Sequence, residues 1–205
     1  MHILLAFASL SGNTREVAML VRARCEALGH RVDWLDVDAG DIARALPADP
    51  PALCLLGSWT DNAGRTPAEM KDCVAALRDR FGLPLPFPAA VFGTGETQWG
   101  DEYYCGAAHR LARFFHSPSP VLEIEQMPHG AADTHAIHHW TDAVLATTET
   151  STTCRPCTPG LLRITTPPCA NTLRCWWTST RTIAPGAGCW RCRWPVSPAP
   201  SRTPG

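Results

Sequence analysis

Lysine is almost missing from this chain: Lys71 is the only one among 205 residues. The stretch after the first apolar run holds none, which excludes the Gly-Lys-Ser/Thr phosphate loop of nucleotide hydrolases. No apolar run approaches the roughly 20 residues of a membrane span. The apolar opening His2 to Ala8 is short, lacks a basic start and runs straight into Ser9-Leu10-Ser11-Gly12, so no secretory leader and a cytoplasmic location are expected. A third absence divides the chain. No Asp, Glu or Lys occurs after Glu149, although seven Arg do. Up to that point eleven basic residues face 19 acidic ones, a balance of -8, and the remainder carries +7. The acidic front part points away from nucleic acid and membrane surfaces and toward basic docking faces.

Four of the ten cysteines, Cys25, Cys54, Cys73 and Cys105, fall in that front part, each within apolar surroundings. They read as reduced core thiols rather than a disulfide framework. Ile3 to Ala8 suits a strand buried on both faces. From Thr14 the period becomes helical, with Val17, Leu20, Val21, Ala27 and Leu28 on one face and Gly29 as the stop. Further strands are expected at Val32 to Val37, Ala52 to Leu56, Ala89 to Phe92 and Val121 to Ile124. Helices are expected from Pro67 through Met70, Val74 and Leu77, through Ala107, Leu111 and Phe115, and from Thr134 to Leu145. Strands alternating with helices require parallel crossovers, so the fold class is α/β, a doubly wound five-stranded parallel sheet with helices on both faces.

Ligands of such sheets bind beyond the carboxyl ends of the strands, where connections reverse direction. After the first strand, Ser9-Leu10-Ser11-Gly12-Asn13-Thr14 leads into a helix. Its hydroxyls and the backbone N–H groups freed by the Gly12 turn form a phosphate cradle without lysine. After the third strand comes Gly57-Ser58-Trp59-Thr60-Asp61-Asn62-Ala63-Gly64. A Trp in a polar surface loop is poorly explained by core packing and suits a flat aromatic ligand. After the fourth comes Gly93-Thr94-Gly95-Glu96-Thr97-Gln98-Trp99, then an acidic stretch ending in Tyr104-Cys105-Gly106-Ala107. Its glycines permit close backbone approach, and Trp99 offers a second ring.

In this order the loops resemble the flavodoxin family. The family pattern is a Ser/Thr-x-Ser/Thr-Gly-Asn-Thr loop, a Trp loop, then Phe-Gly-x-Gly-Asp/Glu with an aromatic before Cys-Gly-Ala. The matching residues are Ser9 to Thr14, Trp59, Phe92-Gly93-Thr94-Gly95-Glu96, Trp99 and Cys105-Gly106-Ala107. The resemblance covers about residues 1–147, expected to form one FMN-binding domain. It implies a cofactor-binding set of Ser9, Leu10, Ser11, Gly12, Asn13, Thr14, Ser58, Trp59, Thr60, Asp61, Gly64, Thr94, Gly95, Glu96, Trp99, Tyr104 and Cys105. The FMN phosphate would lie on Ser9 to Thr14, and Trp59 and Trp99 would sandwich the ring. No catalytic side chain and no metal ligand are implied, because the flavin carries the chemistry.

The resemblance further implies a monomeric, low-potential electron carrier between a flavodoxin reductase and an acceptor redox enzyme, not an enzyme in its own right. Two alternatives remain. One is the flavodoxin-like activator of manganese ribonucleotide reductase, and the other a non-flavin binding module on the same fold. Acids at Asp61, Glu96, Asp101 and Glu102 would disfavour negative charge on a reduced ring. In the family a Gly often follows the first Trp, where a peptide turns over on one-electron reduction. Here Thr60, β-branched, resists the positive φ that such a turn needs.

Residues 148–205 are low in complexity and rich in Pro, Thr, Arg, Cys and Trp. Cys154 with Cys157 and Cys189 with Cys192 form Cys-x-x-Cys pairs, a metal-knuckle spacing. An out-of-frame origin accounts for more. The codons of Val-Asp-Val-Asp-Ala-Asp in a GC-rich gene, read one base late, yield Trp177-Thr178-Ser179-Thr180-Arg181-Thr182. The segment is therefore expected to be disordered or frameshifted. His129, His135, His138 and His139 cluster near the last helix, with His135 and His139 one turn apart, and read as exposed histidines rather than a metal pair.

Overall fold

The computed structural model describes residues 1–153, with side chains described through residue 150. The tail is expected to lack structure from residue 148, but residues 148–153 continue the last helix; the expectations for the rest, including Cys154, Cys157, Cys189 and Cys192, lie outside the described residues. Within them, five strands alternate with five helices: β1 (His2–Ala8), α1 (Asn13–Ala27), β2 (Arg31–Asp36), α2 (Ile42–Ala45), β3 (Leu53–Trp59), α3 (Ala68–Phe81), β4 (Ala89–Gly95), α4 (Gly106–Phe114), β5 (Leu122–Glu125) and α5 (Gly130–Thr153). All pairings are parallel, in the order β2-β1-β3-β4-β5. The expected doubly wound sheet is therefore present. The connections reverse direction between β1 and β3, and the crevice beyond their carboxyl ends is where a ligand belongs.

Alternation along β1 builds both faces of the core. Ile3, Leu5 and Phe7 join Val17 and Val21 of α1 and Ile137, Trp140 and Val144 of α5 on one side. Leu4, Ala6 and Ala8 join Met70, Cys73 and Leu77 of α3 and Leu111 of α4 on the other. Fully burying one such Leu, Ile or Phe stabilises the fold by about 1.5–3 kcal/mol. The helical face of α1 differs from expectation: Val17, Ala18, Val21 and Cys25 are buried, whereas Leu28 stands exposed just past the last turn. On α3, Cys73 rather than Val74 occupies the inner stripe. The four cysteines of the described residues are free and buried. Desolvation pushes the thiols up, to about 11 at Cys25 and about 12 at Cys73 and Cys105.

β3 and β4 run three residues beyond the expected ends, through Gly57-Ser58-Trp59 and Gly93-Thr94-Gly95, which pair with the facing strand instead of forming loop. Glycine is required at position 57 by contact: a Cβ there would stand 2.3 Å from the ring of Phe92. Consequently Trp59 leaves the sheet from its last rung, with its backbone already fixed. The last helix is also longer than expected and passes residue 147 without a break. Among the described residues, no helix is long and apolar enough to cross a membrane.

Candidate functional site

The carboxyl ends of β1, β3, β4 and β5 converge on a cavity of about 510 Å³. That size lies within the usual range for small-molecule sites. Leu10, Ser11 and Asn13 reach it from the first loop, Trp59 to Gly64 from the second, and Thr94, Gly95, Glu96, Trp99 and Tyr103 from the third. Gln126, just past β5, completes the lining.

The first loop enters α1 through Gly12, whose φ of 96° is left-handed and which supplies no side-chain cap. The leading N–H groups of a helix have no intrahelical partners. Only one of them is met by a neighbour: the Arg15 N–H donates to Ser9 Oγ at 3.1 Å. Ser9 is itself held, its N–H donating to Asp38 Oδ2 at 2.9 Å. Thr14 is buried, its hydroxyl 2.8 Å from that of Thr94. What remains is a helix amino end with uncapped donors and the Ser11 hydroxyl beside it, an arrangement that could receive an anion without a cationic side chain.

In the second loop the Ser58 hydroxyl, fully buried, donates to the Trp59 carbonyl at 2.7 Å. The Trp59 indole is half-buried and its Nε1–H donates to Glu69 Oε1 at 2.8 Å. Thr60 Oγ1 accepts from the Ala107 N–H at 3.4 Å. Asp61 and Arg65 exchange two backbone bonds, of 2.9 and 3.0 Å, closing the loop on itself. The loop seats directly on the start of α4: a Cβ at Gly106 would lie 2.8 Å from the Gly64 carbonyl oxygen.

The third loop is tied at its start to the end of β5. The Gln126 N–H donates to the Gly95 carbonyl at 2.7 Å, and the Thr97 N–H donates to the Glu125 carboxylate. Trp99 is 70% exposed, with its Nε1–H donating to Glu96 Oε2 at 2.9 Å. Gln98 donates to the same carboxylate.

Of the residues singled out in the sequence, the cavity brings together Leu10, Ser11, Asn13, Trp59, Thr60, Asp61, Gly64, Thr94, Gly95, Glu96 and Trp99. Ser9, Gly12, Thr14, Ser58 and Cys105 stand behind the lining and hold it. Tyr104 does not line the cavity either: its ring lies against Gly95 from outside, 3.0 Å from where a Cβ would be, and Tyr103 lines it instead. Two adjacent tyrosines offered no periodic signal to separate them. Burial, with Cys105, Glu125 and Glu123 nearby, pushes the Tyr104 hydroxyl well above its ordinary range. Asn62 and Ala63 also line the cavity, as members of the second loop. Gln126 follows β5, whose trailing loop carries no tryptophan, and the strand-end rule applied to β5 points to it. His135 and His139 stack with centroids 6.3 Å apart, and among the described residues no group of three potential metal ligands occurs.

A parallel sheet with an anion cradle at one end of its switch-point crevice and indoles along the other defines a mononucleotide-binding protein of the doubly wound class. A family model for flavodoxin matches residues 5–140. The chain belongs to the flavodoxin family. It is 28% identical over 144 residues to the probable flavodoxin 2 of Bacillus subtilis, covering 66% of this chain and 89% of that one. A bifunctional cytochrome P450/NADPH–P450 reductase of Alternaria alternata is 27% identical over 134 residues, 65% of this chain but 12% of that much longer one. Among solved structures, oxidised flavodoxin 2 from Bacillus cereus is similar at a TM-score of 0.60 and 27% identity, over 72% of this chain and 99% of that one.

FMN is the cofactor of this family, and the residues present fit it. The fit rests on the donor set: uncapped helix N–H groups and a hydroxyl for a phosphate, two indole faces for a planar ring, and room for both.

Proposed function

We propose that the chain is a low-potential, FMN-dependent electron carrier that takes electrons from a flavodoxin reductase and gives them to an acceptor redox enzyme. The bound flavin supplies one-electron chemistry, and no side chain acts as acid or nucleophile. Ser11, Asn13 and the uncapped N–H groups behind Gly12 would hold the phosphate. Trp59 and Trp99 would cover the ring and exclude water, and the backbone of Thr94, Gly95 and Glu96 would meet its polar edge. Asp61 and Glu96, both on the cavity wall, would disfavour negative charge and lower the potential. We further propose that the carrier is a cytoplasmic monomer.

The observation that carries this reading is the pairing of two tryptophans with a lysine-free anion cradle in one cavity. The test is absorbance during stepwise reduction of purified protein titrated with FMN. Uptake of the yellow cofactor at micromolar concentration and reduction in two resolved one-electron steps are the expected results. A protein that stays colourless is a binding module of another kind.

A further inference from the structure

Each indole on the cavity wall donates its N–H to a carboxylate, but the two bonds differ in what they connect. Trp99 bonds Glu96, three residues away, so that bond stays within one loop. Trp59 bonds Glu69, ten residues away, so the link joins the last residue of β3 to the first turn of α3. The intervening loop is closed by the Asp61–Arg65 ladder, and Trp59 packs at the margin of the core that contains Met70 and Cys73.

The indole N–H is the only polar group that Trp carries, and it donates but cannot accept. Both Trp59 and Glu69 are half-buried. Turning the ring over would leave that donor unpaired in a partly desolvated place, which is costly. Glu69 sits where the amino end of a helix favours a carboxylate. The acceptor is thus held by a helix and the donor's backbone by a sheet, and the bond between them fixes the ring face without any contribution from a ligand.

We infer that Glu69 is a positioning residue that fixes the plane of Trp59 through its hydrogen bond and so preorganises the inner wall against which the FMN ring stacks. The inference rests on the proposed stacking of FMN against Trp59. It differs from the electrostatic role assigned to Asp61 and Glu96, because the bond rather than the charge is what matters.

The test compares Glu69→Ala, Glu69→Gln and, as control, Glu96→Ala in the full chain. Two measurements are made: the Trp59 indole N–H resonance in FMN-free protein, assigned by its loss in Trp59→Phe, and FMN affinity by fluorescence titration. In Glu69→Ala the Trp59 resonance should move and broaden, and FMN binding should weaken about tenfold, the scale of one hydrogen bond to a charged acceptor. Glu69→Gln keeps an acceptor and should restore both readouts close to wild type. Glu96→Ala should leave the Trp59 resonance in place. The inference is overturned if Glu69→Ala leaves resonance and affinity unchanged, or if Glu69→Gln binds as weakly as Glu69→Ala. Failure of the wild-type chain to bind FMN would defeat the proposed function instead, and the FMN-free spectra would still report whether Glu69 holds the ring.

Discussion

Thr60 stands where many relatives of this family carry Gly, and two contacts restrain it. Its hydroxyl accepts from the Ala107 N–H, and the next residue donates its N–H to Arg65 across the closed loop. Both the β-branched side chain and these bonds oppose a turn of the Thr60–Asp61 peptide. Thr60→Gly should therefore raise the maximum fraction of one-electron-reduced protein in a redox titration, and an unchanged titration curve would refute this account. Gly95 is constrained in another way. A Cβ there would come within 2.8 Å of the Cys105 backbone nitrogen, which a neighbouring side chain cannot relieve by moving. Gly95→Ala should cost about 1–3 kcal/mol in urea denaturation, the range for overpacking, and should weaken FMN binding by displacing the third loop.

At the scale of elements, α1 and α5 lie side by side on one face of the sheet, and Arg24 grips Asp142 across them with two bonds of 2.8 Å. The guanidinium holds the Asp142 carboxyl below its ordinary value of 3.8. A carboxyl depressed on folding contributes stability that is present above its unfolded pKa and lost as pH falls through the folded one. Asp142→Asn should lower the urea midpoint at neutral pH, and the gap from wild type should close in acid below the usual carboxylate range. His30 shifts in the same direction for a different reason: burial and the nearby N-terminal ammonium, 3.0 Å from its Nδ1, disfavour its charged form. Because its folded pKa lies below the ordinary 6.5, the unfolded chain takes up the proton first, and stability should decline as pH drops through that value. His30→Gln should flatten that part of the pH–stability curve.

The number, order and type of the major elements were readable from period and punctuation, because β1, β3 and β4 are runs of apolar and small residues, β5 alternates, and each long helix has a Gly or Pro at its boundary. The strand ends were not. Gly57, Ser58, Gly93 and Thr94 are turn-forming residues in isolation, and only the ladder between β3 and β4 makes them sheet. The four-residue α2 had no period to announce it and depends on a local cap, the Asp41 side chain accepting from the Arg44 N–H. The end of α5 escaped notice because its threonines are poor helix formers. Their hydroxyls donate to carbonyls four residues back, as from Thr147 to Ala143 and from Thr148 to Val144. At the site, loop motifs identified which segments meet but not which of two adjacent side chains faces inward, since Tyr103 and Tyr104 differ only in where the folded chain turns them.

For the molecule as a whole the formal charge is -1, but the part up to Glu149 carries -8 and would steer a basic partner. A basic reductase face would be steered toward it over about a Debye length, ~10 Å at 0.1 M salt. The rate of reduction by such a partner should fall steadily as ionic strength rises, measured by stopped-flow at fixed pH, whereas a neutral docking surface would show a flat dependence. The tail after residue 153 bears on the same measurement through its opposite charge. Resequencing the gene across codons 145 to 160 decides whether that basic text is translated in its proper frame.

The hydroxyl pair of Thr14 and Thr94 spans 80 positions of sequence with a single 2.8 Å contact. It staples two ligand-facing segments to one another through their own side chains. Little chain ordering is then left for the moment of capture, so the heat-capacity change on FMN uptake should match the surface removed from water with no excess from coupled folding.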